Sequence, residues 1–281
     1  MNRQTIAQLA VALALALPAT GARAAGSFDT CTGFIESLPA TITTQGTWCL
    51  RRDLSTAITS GRAIEIKVNN VTIDCNGFKL GGLAAGPNSI ATGIRSDDRL
   101  NATVRGCGIR GFATGIHLAG GGGHLIEDNR LDNNLIQGIF VSGDGNLVQR
   151  NRVFDTGGQP TSQTGTGINA RADLIDNVVD VAFGVGTDPY AFGIFAQAPG
   201  TEVRGNRVRG LVAGGAGLAY GIVLNAPGIR VAGNSVTALG TTNGEGIAGT
   251  NLGTACFDNL VFNFTWAIPA CAAGSGNVAL P

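Results

Sequence analysis

The chain has 281 residues, enough for one sizeable core. It carries 44 glycines, 14 % charged residues and a formal net charge of zero. No bulk field marks it for nucleic acid or for an anionic surface.

Residues 1–24 read as a secretory signal peptide. Arg3 leads into the apolar run Ile6 to Leu17, and Ala22-Arg23-Ala24 supplies a small-x-small cleavage pattern. The run is too short to span a membrane, and no later stretch approaches that length. The expected location is therefore secreted or periplasmic, with no membrane span. Residues 25–62 are expected to form an N-terminal cap, in which PATITTQGTWCL reads as a lead-in strand. Residues 63–268 carry a repeat, and 269–281 form a C-terminal tail or cap. Phe257, Phe262, Phe264 and Trp266 cluster ahead of that tail and suit the covering of a last open edge, a separate binding patch being the rival reading.

All six cysteines (Cys31, Cys49, Cys75, Cys107, Cys256 and Cys271) follow the signal peptide. An even count in that context predicts disulfides in an oxidising compartment, with fifteen pairings open. Cys31 and Cys49, and likewise Cys256 and Cys271, are neighbours near the two ends, where a repeat fold needs caps.

Two marks recur through the repeat. One is Asn, once Cys, followed two residues later by an apolar residue: Asn76, Cys107, Asn129, Asn151, Asn177, Asn206, Asn234 and Asn259. The other is a small residue, usually Gly, followed by Ile: Ile94, Ile116, Ile139, Ile168, Ile194, Ile222, Ile247 and Ile268. A period in the twenties predicts a solenoid. The apolar residues alternate, with β-branched residues and Gly between them, so each unit is two or three short strands and not a helix pair. About eight turns stacked in register make a rod roughly 40 Å long.

The Ile column and the apolar residue after each Asn are expected to face inward and stack on their own copies. The Asn column is expected at a turn, where its amides bridge neighbouring turns and Asn tolerates a left-handed backbone. Aligned turns also set opposite charges side by side: Asp74/Arg105, Arg105/Glu127, Arg110/Asp132 and Asp180/Arg209. Arg130 and Arg152 instead stack like on like, with Arg150 next door, and are candidates to hold an anion.

At these residues the chain resembles the right-handed parallel β-helix repeat family, the pectin-lyase-like superfold. VTIDCNGFKLGG is close to that family's first-turn motif, and DNRL, RNRVF, DNVV, GNRV and GNSV are its later versions. The resemblance implies an all-β, single-domain right-handed parallel β-helix. It leaves function open, because the same solenoid hosts lyases, hydrolases, epimerases, adhesins and tailspikes.

Length variation falls between each Asn and the next Gly-Ile mark, so the insertions emerge along one edge. Their chemical groups are Asp155, Gln163, Asp188, Tyr190 and Tyr220, with Glu245 at the end of the last one. Beyond the Ile marks an outward column runs through His117, Phe140, Asn169 and Phe195, residue types that stack on sugar rings or bind hydroxyls. A glycosidase needs paired carboxylates, and a lyase needs a base and a group that neutralises a uronate, often Ca²⁺. Asp155, Asp188 and Glu245 are the candidate acids, and Tyr190 and Tyr220 the candidate bases. The signatures of the family's enzymes are missing. Asp97-Asp98 stands alone, the histidines are His117 and His124, and Asp188-Pro189-Tyr190 departs from the epimerase Asp-Pro-His-Asp. No Ca²⁺ cluster, metal-spaced set or phosphate loop is legible, so no cofactor is expected. The leading expectation is a protein that binds or acts on polysaccharide through the insertion face. An active lyase or hydrolase comes second, and a structural or adhesive surface protein third.

Overall fold

A computed structural model describes residues 28–249 and 253–280. The expected signal peptide, residues 1–24, lies outside the described residues. The fold is a right-handed parallel β-helix of about nine turns, close to the eight expected. Among the described residues the one helix is the 3-10 turn Leu83–Ala85, far too short to cross a membrane.

Each turn contributes a strand to three parallel sheets. The first sheet contains Arg62–Ile66, Thr92–Asp97, Thr114–Ala119, Tyr190–Ala196 and Ala219–Leu224. The second contains Val71–Asp74, Thr103–Arg105, Leu125–Glu127, Glu202–Arg204 and Arg230–Ala232. The third contains Lys79–Gly81, Gly108–Arg110, Arg130–Asp132, Arg152–Gly157, Val178–Phe183 and Arg207–Arg209. Gln137–Gln149 and Thr164–Ile175 run unbroken from the first sheet into the second, with a register shift between Val141 and Asn146. Pairing begins earlier than the repeat marks, at Gly33–Phe34, and continues through Val278–Leu280.

The isoleucines align as expected. Ile94, Ile116, Ile139, Ile168, Ile194, Ile222 and Ile247 are register partners in sequence, all fully buried. The column starts one turn sooner, at Ile64. Ile268 sits in a bend after the last strand of this sheet, half-buried against the core.

The glycine before each Ile has a steric cause. A Cβ on Gly167 would lie 2.6 Å from the Gly193 carbonyl oxygen and 2.5 Å from a Val179 methyl. Gly138 meets Gly167 and Val153 in the same way, and Gly193 meets Gly221 and Val208. Here the first sheet presses so closely on a third-sheet side chain that no side chain fits between them.

The asparagine ladder is continuous. Asn129, Asn151, Asn177, Asn206, Asn234 and Asn259 each donate Nδ2 to the Oδ1 of the next, and the last reaches Asn277, all at 2.9–3.0 Å. That Oδ1 also accepts from the backbone N–H one turn earlier. The left-handed backbone falls one residue before the expected place. Asp128, Arg150, Asp176 and Asp258 have φ of 53–54°, and Gly106, Gly205, Gly233 and Gly276 fill the same position in other turns. The asparagines themselves are buried and turned inward.

The ladder's first rung also differs from the expectation. Two extra residues occupy this corner: Asp74 pairs with Arg105, but Lys79 pairs with Gly108. Cys75 therefore takes the inward place and bonds to Cys107, while Asn76, with φ of 49°, donates to the Leu50 carbonyl at 3.4 Å and joins no ladder. A disulfide thus stands where later turns use an amide bridge. The other pairs are Cys31–Cys49 and Cys256–Cys271, one near each end.

The charge columns close as ion pairs. Asp74 meets Arg105 at 2.8 Å and Arg110 meets Asp132 at 3.4 Å; Asp180 bonds Arg209. Arg105 and Glu127 are register neighbours.

Candidate functional site

Two outward columns on the first sheet bring most of the candidate residues into one register. The residue just before each Gly-Ile mark forms one column: Thr114, Gln137, Thr166, Phe192, Tyr220, Glu245 and Trp266 pair in succession. The residue just after each Ile forms the other: Arg95, His117, Phe140, Asn169, Phe195 and Val223. The side chains differ sharply from one end of the sheet to the other.

The N-terminal end is an ion-pair network. Glu65 binds Arg62 and Lys67 at 2.9 Å, and Asp97 binds Arg95 at 2.8 Å and Arg62 at 3.3 Å. The hydrogen bond from Arg95 holds the Asp97 carboxyl below its ordinary range. His117 lies beside this network, with its ring 4.6 Å from that of Phe140. Burial, then the neighbouring Arg95 charge, pushes the His117 pKa down. Asn169 accepts from the Gln197 amide.

The C-terminal end is aromatic. Phe192 and Tyr220 lie 5.1 Å apart with ring planes within 7°. Tyr190 stacks on Phe192 at 6.3 Å, and Phe195 meets Phe192 edge-on at 5.7 Å. Near-parallel rings at these separations overlap like shingles, so each braces the next and exposes an edge and part of a face. Glu245 follows Tyr220 in the column, and Trp266 follows Glu245. Burial pushes the Glu245 carboxyl above its ordinary value. The Tyr220 hydroxyl is pushed up by burial first, then by the Glu245 charge. Trp266 is 52 % exposed and stacks on no other ring among the described residues.

Tyr190, Tyr220 and Glu245 therefore share one surface with Phe195, and His117, Phe140 and Asn169 continue it toward the charged end. Asp188 and Asp155 stand elsewhere. Asp188 accepts the Ala216 backbone N–H at 2.8 Å and so pins one insertion loop to the next. Asp155 lies at the end of the third sheet with φ of 49°, the position that Gly111, Asn133 and Gly210 hold in other turns. Arg130 and Arg152 are register neighbours on the third sheet, as expected. Arg150 is engaged by Glu127 and Asp128 at 2.7 and 2.8 Å.

Sequence reasoning passed over Phe192, and it placed Trp266 in a cap cluster. The signal for both was present. Each stands immediately before a small residue of the Gly-Ile mark, as Tyr220 and Glu245 do.

A family model described as a right handed beta helix region matches residues 57–236. No curated protein and no solved structure matches the chain.

Proposed function

We propose that this chain, which belongs to the right-handed β-helix family, binds polysaccharide along the outward face of its first sheet. The observation that carries the reading is the succession Tyr220, Glu245, Trp266 in one register column, with neighbours about 4.8 Å apart. A partly desolvated carboxyl seated between two aromatic side chains suits a sugar: the carboxyl accepts from hydroxyls, and the exposed indole stacks on the apolar ring face. The shingled rings of Tyr190, Phe192 and Tyr220 fix the surface before ligand arrives, which lowers the ordering cost of binding. The three disulfides support a working location outside the cytoplasm, secreted or periplasmic.

The test is affinity electrophoresis of the purified protein against a panel of neutral and acidic polysaccharides. At least one polymer is expected to slow migration. Trp266→Ala and Glu245→Gln should each weaken that interaction about tenfold, the size of a typical contact that matters. Retardation by no polymer, or unchanged retardation of both variants, would overturn the reading.

A second reading is catalysis by Glu245 and Tyr220, since both groups are pushed toward their protonated forms. Asp155 and Asp188 lie outside the Glu245 column, so the paired carboxylates of a glycosidase are not assembled there. Long incubation with the same polymers, followed by mass spectrometry, separates the readings. Unsaturated oligosaccharides would establish a lyase and saturated ones a hydrolase.

A further inference from the structure

The third sheet has a feature that the first-sheet reading does not use. Its first outward column runs Arg130, Arg152, Val178, Arg207 and Ser235 in register. Elsewhere on the rod Asp74/Arg105, Arg110/Asp132, Asp180/Arg209 and Glu202/Arg230 set opposite charges one turn apart. Arg130 and Arg152 instead face each other, and like charges in neighbouring strands are destabilising. Both guanidinium groups lie over one ring, Phe154, at 4.4 and 5.7 Å from its centroid. That contact holds the two cations in place without neutralising them. Arg130 reaches a carboxylate only at 3.8 Å, in Asp132. Arg152 and Arg207 form no ion pair among the described residues.

These arginines border a groove. One cavity of about 290 Å³ is lined by Arg130, Arg152, Phe154 and Asp155. A second, of about 320 Å³, is lined by Arg207, Arg209, Ser235 and Thr237. Asp180 and Val181 line both, so the two lie side by side along the sheet. Val181 has φ of 64°. Gly111, Asn133, Asp155 and Gly210 hold the same left-handed corner in other turns, so this backbone belongs to the repeat.

We propose that this groove is a second binding site, on a different face from the first, that takes the anionic groups of an acidic polysaccharide, with Arg152 and Arg207 as the holding residues. The two arginines are two turns apart, about 10 Å, a spacing suited to a chain whose anions recur every one or two sugars. Guanidinium groups grip carboxylates and sulfates through paired hydrogen bonds. Asp155 and Asp180 in the same groove accept hydrogen bonds from hydroxyls, which a sugar chain supplies along its length. The single ring in the groove is already covered by guanidinium, so it offers no platform for a stacked base.

The test is native electrophoresis of the purified protein at low salt in gels holding polygalacturonate, dextran sulfate, dextran or single-stranded DNA. Retardation by polygalacturonate or dextran sulfate is expected, and the stronger of the two identifies carboxylate or sulfate as the anion. Arg152→Gln/Arg207→Gln should lose at least tenfold in apparent affinity, while Arg230→Gln, which removes a guanidinium from the second sheet, keeps it, so the loss belongs to this groove and not to net charge. A thermal midpoint for the double variant at or above that of the parent shows that the fold is intact. No retardation by either acidic polymer overturns the proposal. So does equal retardation of the folded double variant, or retardation by DNA as strong as by the acidic polymers.

Discussion

His124 occupies a position that decides how the molecule responds to acid. Its Nδ1 accepts the Ala102 backbone N–H at 3.2 Å, and Nε2 lies 3.1 Å from the Gly120 carbonyl. Its own N–H donates to Asn146 Oδ1 at 2.9 Å. Nδ1 must be unprotonated to accept, and burial pushes the pKa down, so the folded ring is neutral. In the unfolded chain it titrates near the ordinary value of about 6.5. Below that value the unfolded state binds the additional proton, so this stability is present above about pH 6.5 and fades as pH falls toward the depressed folded value. His117, also depressed, has the same sign. Glu245, raised by burial, has the opposite sign and gains relative stability as pH falls. The net expectation is a thermal midpoint that declines between pH 7 and pH 5. His124→Asn, which keeps a side-chain acceptor that does not titrate, should flatten part of that decline. An unchanged slope in the variant would refute the assignment. The sequence shows two histidines and nothing that separates them. The surroundings of His124 come from Ala102 and Asn146, each 22 residues away in neighbouring turns.

At the scale of the strand and its corner, the ladder tests whether a covalent rung and an amide rung do the same work. The Cys75–Cys107 bond closes a separation of 32 residues, and chain entropy puts its contribution at about 4 kcal/mol. Cys107 N–H already donates to Asn129 Oδ1 at 3.0 Å, the bond made by every ladder asparagine. An asparagine at position 107 therefore meets a ready acceptor. Cys75→Ala/Cys107→Asn should retain about 1–2 kcal/mol more stability in urea unfolding than Cys75→Ala/Cys107→Ala. Equal stability of the two variants would show that the rung tolerates no exchange. The sequence made the Asn and Ile columns legible because both recur in every turn. It misplaced the first rung because Asn76 fits the written pattern while the two extra residues of that corner carry it out of the column. The aromatic site was harder to read for a related reason. Phe192, Tyr220, Glu245 and Trp266 are separated by 28, 25 and 21 residues, so no fixed period links them. Only the register, which absorbs unequal insertions, converts those intervals into single steps.

For the whole molecule, stability is close to a sum over turns and their interfaces, so position along the rod matters. Asn177 joins neighbours on both sides: it accepts from Asn151 and donates to Asn206 and to the Val148 carbonyl. Among the described residues Asn277 has a ladder neighbour on one side alone, and it lies between two exposed strands, Ala273–Ser275 and Val278–Leu280. Asn177→Ala strands several buried groups and should cost about 3 kcal/mol or more, against about 1 kcal/mol for Asn277→Ala, measured by urea unfolding. Similar losses would mean that the ladder acts as one cooperative body and not as separable rungs. The two proposed binding faces share this frame, so distances between their groups are set by how many turns separate them.

The line of glycines before the isoleucines gives that frame its unit. Each glycine meets the carbonyl of the next and a side chain across the interior, most often valine, so each turn offers its successor the surface that it received. A chain built this way has a gauge: it can lengthen or shorten by whole turns while every joint stays of one kind. Duplication or loss of a turn would move Arg152 away from Arg207, or Tyr220 away from Trp266, by fixed steps. Ligand spacing in such a molecule is a length that heredity can count.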